Sequence, residues 1–98
     1  MQLGIVATRD VLELHVIGLA TAAVARGWSC RCFLTDRGVQ LIHSASFLEL
    51  ARSGKLRVEV CEKSWEHYGD GSSPDGIILG SQYQNAELAN LCDKIIVL

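Results

Sequence analysis

The sequence predicts an α/β domain of three layers, α/β/α, built on a mostly parallel sheet of four or five strands. Three observations lead there. Short apolar runs that suit strands buried on both faces alternate with stretches of helical spacing. Turn and capping residues punctuate the alternation. Of the 98 residues, 49% are hydrophobic and only 20% charged, which is enough apolar content for a packed core. Strands joined through helices become parallel neighbours by right-handed crossovers, and the helices cover the two faces.

Leu3 to Ala7 is an apolar run that empties into Thr8, Arg9 and Asp10. Asp10 is placed to cap a helix over Val11 to Arg26, where Leu12, Val16, Leu19 and Ala23 recur at helical spacing, Glu13 follows the cap and Gly27 closes the far end. Leu14, Ile17 and Val24 make a second flank apolar, so this helix has the sheet on one side and either another element or another subunit on the other. Trp28 to Leu34 reads as the second strand and stops at Thr35-Asp36-Arg37-Gly38. Val39 to His43 suits a short helical turn, Phe47 to Arg52 a helix closed by Ser53 and Gly54, and Leu56 to Cys61 a third strand. Glu62 to Tyr68 makes one or two helical turns before the break Gly69 to Pro74, which reads as a mobile loop. Ile77 to Leu79 is a short extended piece, Ser81 caps a helix from Gln82 to Leu91, and Lys94 to Leu98 is the final strand. Residues 1–98 form a single domain without repeats.

Nine Lys and Arg stand against eleven Asp and Glu, for a net charge of −2, too balanced for a nucleic-acid or membrane-surface binder. The longest apolar run, Val16 to Ala25, falls well short of the ~18 residues of a membrane span. A strand starts right after Gln2 with no export signal, so a cytoplasmic location is expected, and the four cysteines read as free thiols of a reducing compartment. So small a domain buries only about 60–65% of its unfolded surface, and the remaining apolar area predicts a homo-oligomer.

In parallel sheets ligands sit at strand C-termini, here Thr8 to Asp10, Thr35 to Gly38, Cys61 to Ser64, and Gly80 to Gln82. The first of these carries no glycine-rich phosphate cradle, which excludes the common nucleotide enzymes, and Asp10 alone does not supply the acidic cluster of a phospho-receiver domain. Cys30 and Cys32 flank Arg31 on one strand and share a face, but no cysteine or histidine pair has ligand spacing, so both read as core and no metal is expected. Cys92 also reads as core, and His15 as a packed or interface histidine and not a base. Cys61 differs, because it ends a strand at the start of a helical turn, where free N–H groups favour a thiolate, and it is expected to face the surface. Lys63 and His67 lie four apart and share a helical face from which either can approach the sulfur, while Glu62 and Glu66 oppose ionisation if they turn the same way. On the residues alone, an ordinary strand-end cysteine remains the alternative.

The layout resembles the DsrE/DsrF-like family, which includes sulfur-relay subunits of the TusD-like kind, over nearly the whole chain. The matching features are Leu3 to Thr8, the Ala-rich helix ending in Arg26-Gly27, Cys32-Phe33-Leu34 followed by Asp36-Arg37-Gly38-Val39, Val60-Cys61 with Gly69 eight residues on, Asp75 to Ser81, and Leu91 to Val97. The chain departs from the family in a shorter stretch between Gly69 and Pro74 and in Glu62, Trp65, Glu66 and His67-Tyr68. The resemblance implies a trimer or hexamer in which Cys61 accepts sulfane sulfur as a persulfide and passes it on. The expected function is thus a cytoplasmic sulfur carrier, a sulfurtransferase without a cofactor, whose partners are sulfur donor and acceptor proteins. Lys63 or His67 would stabilise the anionic sulfur, Thr8 and Arg9 would form the opposite rim, and Gly69 to Pro74 would be a lid. A non-catalytic or small-ligand-binding subunit of such an oligomer is the alternative.

Overall fold

The computed structural model describes residues 1–69 and 77–98. Five strands, β1 (Gln2–Ala7), β2 (Ser29–Leu34), β3 (Leu56–Cys61), β4 (Ile77–Gly80) and β5 (Lys94–Val97), form one sheet in the order β4-β3-β2-β1-β5. All four strand pairings are parallel, and four helices alternate with the strands: α1 (Glu13–Ala25), α2 (Ala45–Arg52), α3 (Glu62–Tyr68) and α4 (Gln82–Leu91). The expected three-layer α/β/α architecture with a parallel sheet is what the chain forms.

The pleat sorts the strand residues between two cores. Leu3, Ile5 and Ala7 of β1, Cys30, Cys32 and Leu34 of β2, and Leu56, Val58 and Val60 of β3 pack with Val16, Ala20 and Ala23 of α1, Phe47 and Ala51 of α2, and Trp65 of α3. The intervening positions Val6, Phe33 and Cys61 form a smaller cluster with Leu88 of α4 and Cys92. Among the described residues, three helices therefore cover one face and α4 crosses the other. The chain steps β1 to β4 in one direction with its crossovers on one side, then returns past β1 through α4 on the opposite side, as right-handed connections require.

Beneath α4 lies a charged network that alternation on β2 does not announce. Arg31, 5% exposed, donates through Nη2 to Glu59 Oε1 at 2.7 Å and to Glu87 Oε1 at 2.9 Å, and Arg57 Nε stands 3.3 Å from the same Glu59 oxygen. Removing charges from water is costly unless they are paired, so these contacts fix α4 in one position on β2 and β3.

Three expected boundaries change, the first being α2, which starts at Ala45 behind a Ser44 cap and not at Phe47. Asp10 does not cap α1: it opens a 3-10 turn, Asp10–Leu12, and α1 begins at Glu13 behind Leu12, which offers no capping side chain. The turn, closed by the Glu13 N–H on the Asp10 carbonyl, displaces the helix start by two residues. The short turn expected at Val39 begins earlier, as a 3-10 segment over Asp36–His43. Gly38 makes that possible, because a Cβ there would lie 2.0 Å from the Ala7 carbonyl oxygen. At the other expected signals the chain behaves as read. Gly27, at φ +77, ends α1 with its N–H on Val24 O, and Ser81 caps α4 in a reciprocal capping box with Gln84.

Candidate functional site

Cys61 is the last residue of β3 and pairs in register with Gly80 at the end of β4. Beyond that point the two strands part: β3 runs into α3 on one face of the sheet, and β4 turns through Ser81 into α4 on the other. Adjacent strands whose connections diverge in this way open a crevice at their C-terminal ends. A cleft of about 730 Å³ lies there, lined by Thr35 and Asp36 from the end of β2, by Cys61, Glu62, Lys63, Ser64 and Glu66, and by Gly80, Ser81 and Gln82. Three of the four strand ends singled out in the sequence meet in it. The fourth, Thr8 to Asp10, does not, because β1 is two strands away from β3.

Cys61 is buried, at 6% exposure, and is not the surface-facing residue expected from sequence. As the final residue of an alternating strand it points to the α4 face, where Val6, Phe33 and Leu88 pack beside it. Burial by itself raises a thiol pKa. Here it is outweighed by hydrogen bonds to the sulfur from the Ser64 N–H and hydroxyl, from the Gln82 side-chain amide at 3.6 Å, and from the Lys63 N–H, and the Cys61 thiol lies below its ordinary value. Two of these donors are main-chain groups at the start of α3, where Cys61 occupies the N-cap position and the first N–H groups have no helical partner.

Ser64 is itself held in place. Its Oγ accepts the Asp36 N–H at 2.9 Å and lies 3.3 Å from Thr35 Oγ1. Asp36 has φ +50, the left-handed region that a side chain rarely adopts. That conformation turns its N–H toward Ser64 and lets Gly38 tuck under Ala7. With a hydroxyl lone pair engaged by Asp36, the single Ser64 proton is left to the sulfur.

The other cysteines contrast with this. Burial pushes Cys30 up to about 11, with Cys92 adding to it, and burial followed by Cys30 pushes Cys32 further up. Cys92 is also raised, first by burial and then by Asp93, against a lowering influence from Arg31. Cys30 and Cys32 lie in the core between the sheet and α1–α3, as read from the sequence. Among the described residues no three His, Cys, Asp or Glu side chains gather in a way that would hold a metal ion.

Of the partners expected for Cys61, Lys63 lines the cleft and also supplies its N–H to the sulfur. His67 stands at the far end of α3, edge-on to Tyr68 at 4.5 Å, outside the lining residues. Thr8 donates through Oγ1 to the Leu98 carbonyl at 2.9 Å, Arg9 is exposed, and neither lines the cleft. The expected lid, Gly69 to Pro74, lies outside the described residues beyond Gly69. Sequence reasoning missed the roles of Ser64 and Gln82; the available signal was a hydroxyl three residues into a helix that starts at a cysteine, and an amide directly after a capping serine.

The fold and site together define an α/β protein of DsrE-like fold with a hydrogen-bonded cysteine in the crevice between β3 and β4. No family model matches the sequence, and no curated protein sequence matches it. Among solved structures the chain is similar to the crystal structure of the ychN protein from E. coli, with a TM-score of 0.78 over 100% of both chains at 18% identity. At that identity the likeness establishes the fold alone.

Proposed function

We propose that the protein is a sulfur carrier in which Cys61 takes up a sulfane sulfur as a persulfide and hands it to an acceptor thiol. The observation that carries this reading is the set of N–H and O–H donors converging on one buried sulfur at the floor of an open cleft, while the other three thiols are held protonated. The thiolate is the nucleophile in thiol–disulfide and persulfide exchange. The Cys61 thiolate attacks the outer sulfur of a donor R–S–SH, the donor S–S bond breaks, R–S⁻ leaves, and Cys61–S–SH is formed. In the second half an acceptor thiolate attacks that outer sulfur and Cys61 thiolate is the leaving group. No oxidant or cofactor is consumed.

Ser64 and Gln82 stabilise the anion in both halves, and Lys63, which gives its main-chain N–H to the sulfur, also brings a cation to the residues that line the cleft. The partners are donor and acceptor proteins in the reducing cytoplasm. A homo-oligomer, trimer or hexamer, is part of the same reading: Leu14 in the first turn of α1 and Val11 in the 3-10 turn before it are 81% and 78% exposed, and Ile95 and Val97 of β5 lie uncovered on the face that α4 only partly spans.

Incubation with cysteine persulfide followed by mass spectrometry tests this function. One added sulfur atom per chain, mapped to Cys61 and absent from Cys61→Ser, is the expected result. Because Cys61 packs beside Phe33 and Leu88, the substitution costs stability on the order of 1 kcal/mol, and circular dichroism checks that the fold persists. If Cys61→Ser takes up sulfur as well as the parent chain, the carrier reading fails and a non-catalytic assembly subunit takes its place.

A further inference from the structure

We infer that the cleft selects its sulfur donor by charge, accepting a persulfide carried on a positively charged protein surface and turning away free anionic donors such as thiosulfate. The inference rests on the carrier reading and adds the class of donor to it.

Two kinds of electrostatics meet in the cleft and act at different ranges. The donors on the Cys61 sulfur are uncharged: main-chain N–H groups, a hydroxyl and an amide. Such dipoles stabilise a thiolate on contact and exert little pull on an approaching ion. The formal charges stand around them. Among the described residues, Asp36, Glu62 and Glu66 line the cleft together with a single cation, Lys63, so three carboxylates stand against one ammonium. All four are exposed. None of the three carboxylates is paired with a cation among the described residues. Glu62 and Glu66 are four apart on α3, on one face of the helix. Charges lining a cleft act over a Debye length of about 8 Å and set which ions are concentrated there. The sulfur is thus activated by neutral contacts behind a negative entrance, an arrangement that speeds a cationic partner and slows an anion.

Two methanethiosulfonate reagents with the same reactive group test this, one bearing a trimethylammonium and the other a sulfonate. In each case the Cys61 thiolate forms a disulfide with the transferred thiol and methanesulfinate leaves. Rates at the Cys61 peptide are divided by each reagent's rate with 2-mercaptoethanol. A cationic preference of about 5- to 10-fold is expected at low salt, shrinking as salt is added. Glu62→Gln with Glu66→Gln brings the ratio to about 2 or below, and Lys63→Gln raises it. A normalised ratio of one or less in the parent chain, or a ratio that the double substitution leaves unchanged, overturns the inference. The reagents carry no sulfane sulfur, so this result is independent of whether Cys61 accepts sulfur from a persulfide.

Discussion

The Asp36 N–H donates to Ser64 Oγ at 2.9 Å, joining the end of β2 to α3 across 28 residues of sequence. That bond orients the hydroxyl whose proton reaches Cys61, so the state of the thiol depends on a backbone group outside its own strand. Removing the hydroxyl with Ser64→Ala is expected to raise the Cys61 pKa, because one donor to the thiolate is lost. At neutral pH iodoacetamide should then modify Cys61 about 3- to 10-fold more slowly, with the melting temperature little changed. An unaltered rate would mean that the main-chain donors act alone.

Asp36 is in the left-handed region, which glycine adopts without strain and a β-branched residue does not. Asp36→Gly should leave both the fold and the Cys61 rate near their original values. Asp36→Val should destabilise the chain by ~1–2 kcal/mol and slow Cys61 as Ser64→Ala does. Urea denaturation and the same alkylation assay read the two effects separately.

The Arg31 network sets a different test. Arg31→Ala leaves Glu59, 2% exposed, without its closest cation, and a loss of ~3–5 kcal/mol is expected. Replacing the pair together, Arg31→Met with Glu59→Leu, should recover most of it, because apolar groups of similar volume need no partner. Equal losses for the single and double variants would show that α4 is held by Leu88 packing and not by the ion pairs.

The sequence discloses local structure well and strand order poorly. The bounds of β3, α3 and α4 follow from capping residues and apolar runs, and the pleat separates Cys30 and Cys32 from Arg31. Cys61 stands out because its chemistry depends on being at a strand end next to a helix start, both of which are local. Ser64 was within local reach, three residues past Cys61 in α3, whereas Gln82 is recognised as a donor only once β4 is known to lie beside β3, since it is 21 residues away in the chain. The same ignorance of strand order put Thr8 and Arg9 at the rim. Asp10 failed as a cap because an isolated capping signal does not reveal that the chain leaving β1 first makes a 3-10 turn. Arg31 gave no signal that two glutamates from β3 and α4 would close over it.

The central claim, that this fold holds Cys61 as the reactive thiolate, is tested most directly by the pH dependence of alkylation at each cysteine. Lowering a thiol's pKa keeps its thiolate present at lower pH, whereas raising it delays ionisation until the medium is more alkaline. With brief iodoacetamide pulses and peptide mapping, Cys61 should reach half its maximal rate below the ordinary value of a thiol. Cys92 and Cys32 should lag above that value, with Cys30 displaced toward about 11. A Cys61 profile at or above that of free cysteine, or one that coincides with Cys92, would contradict the claim.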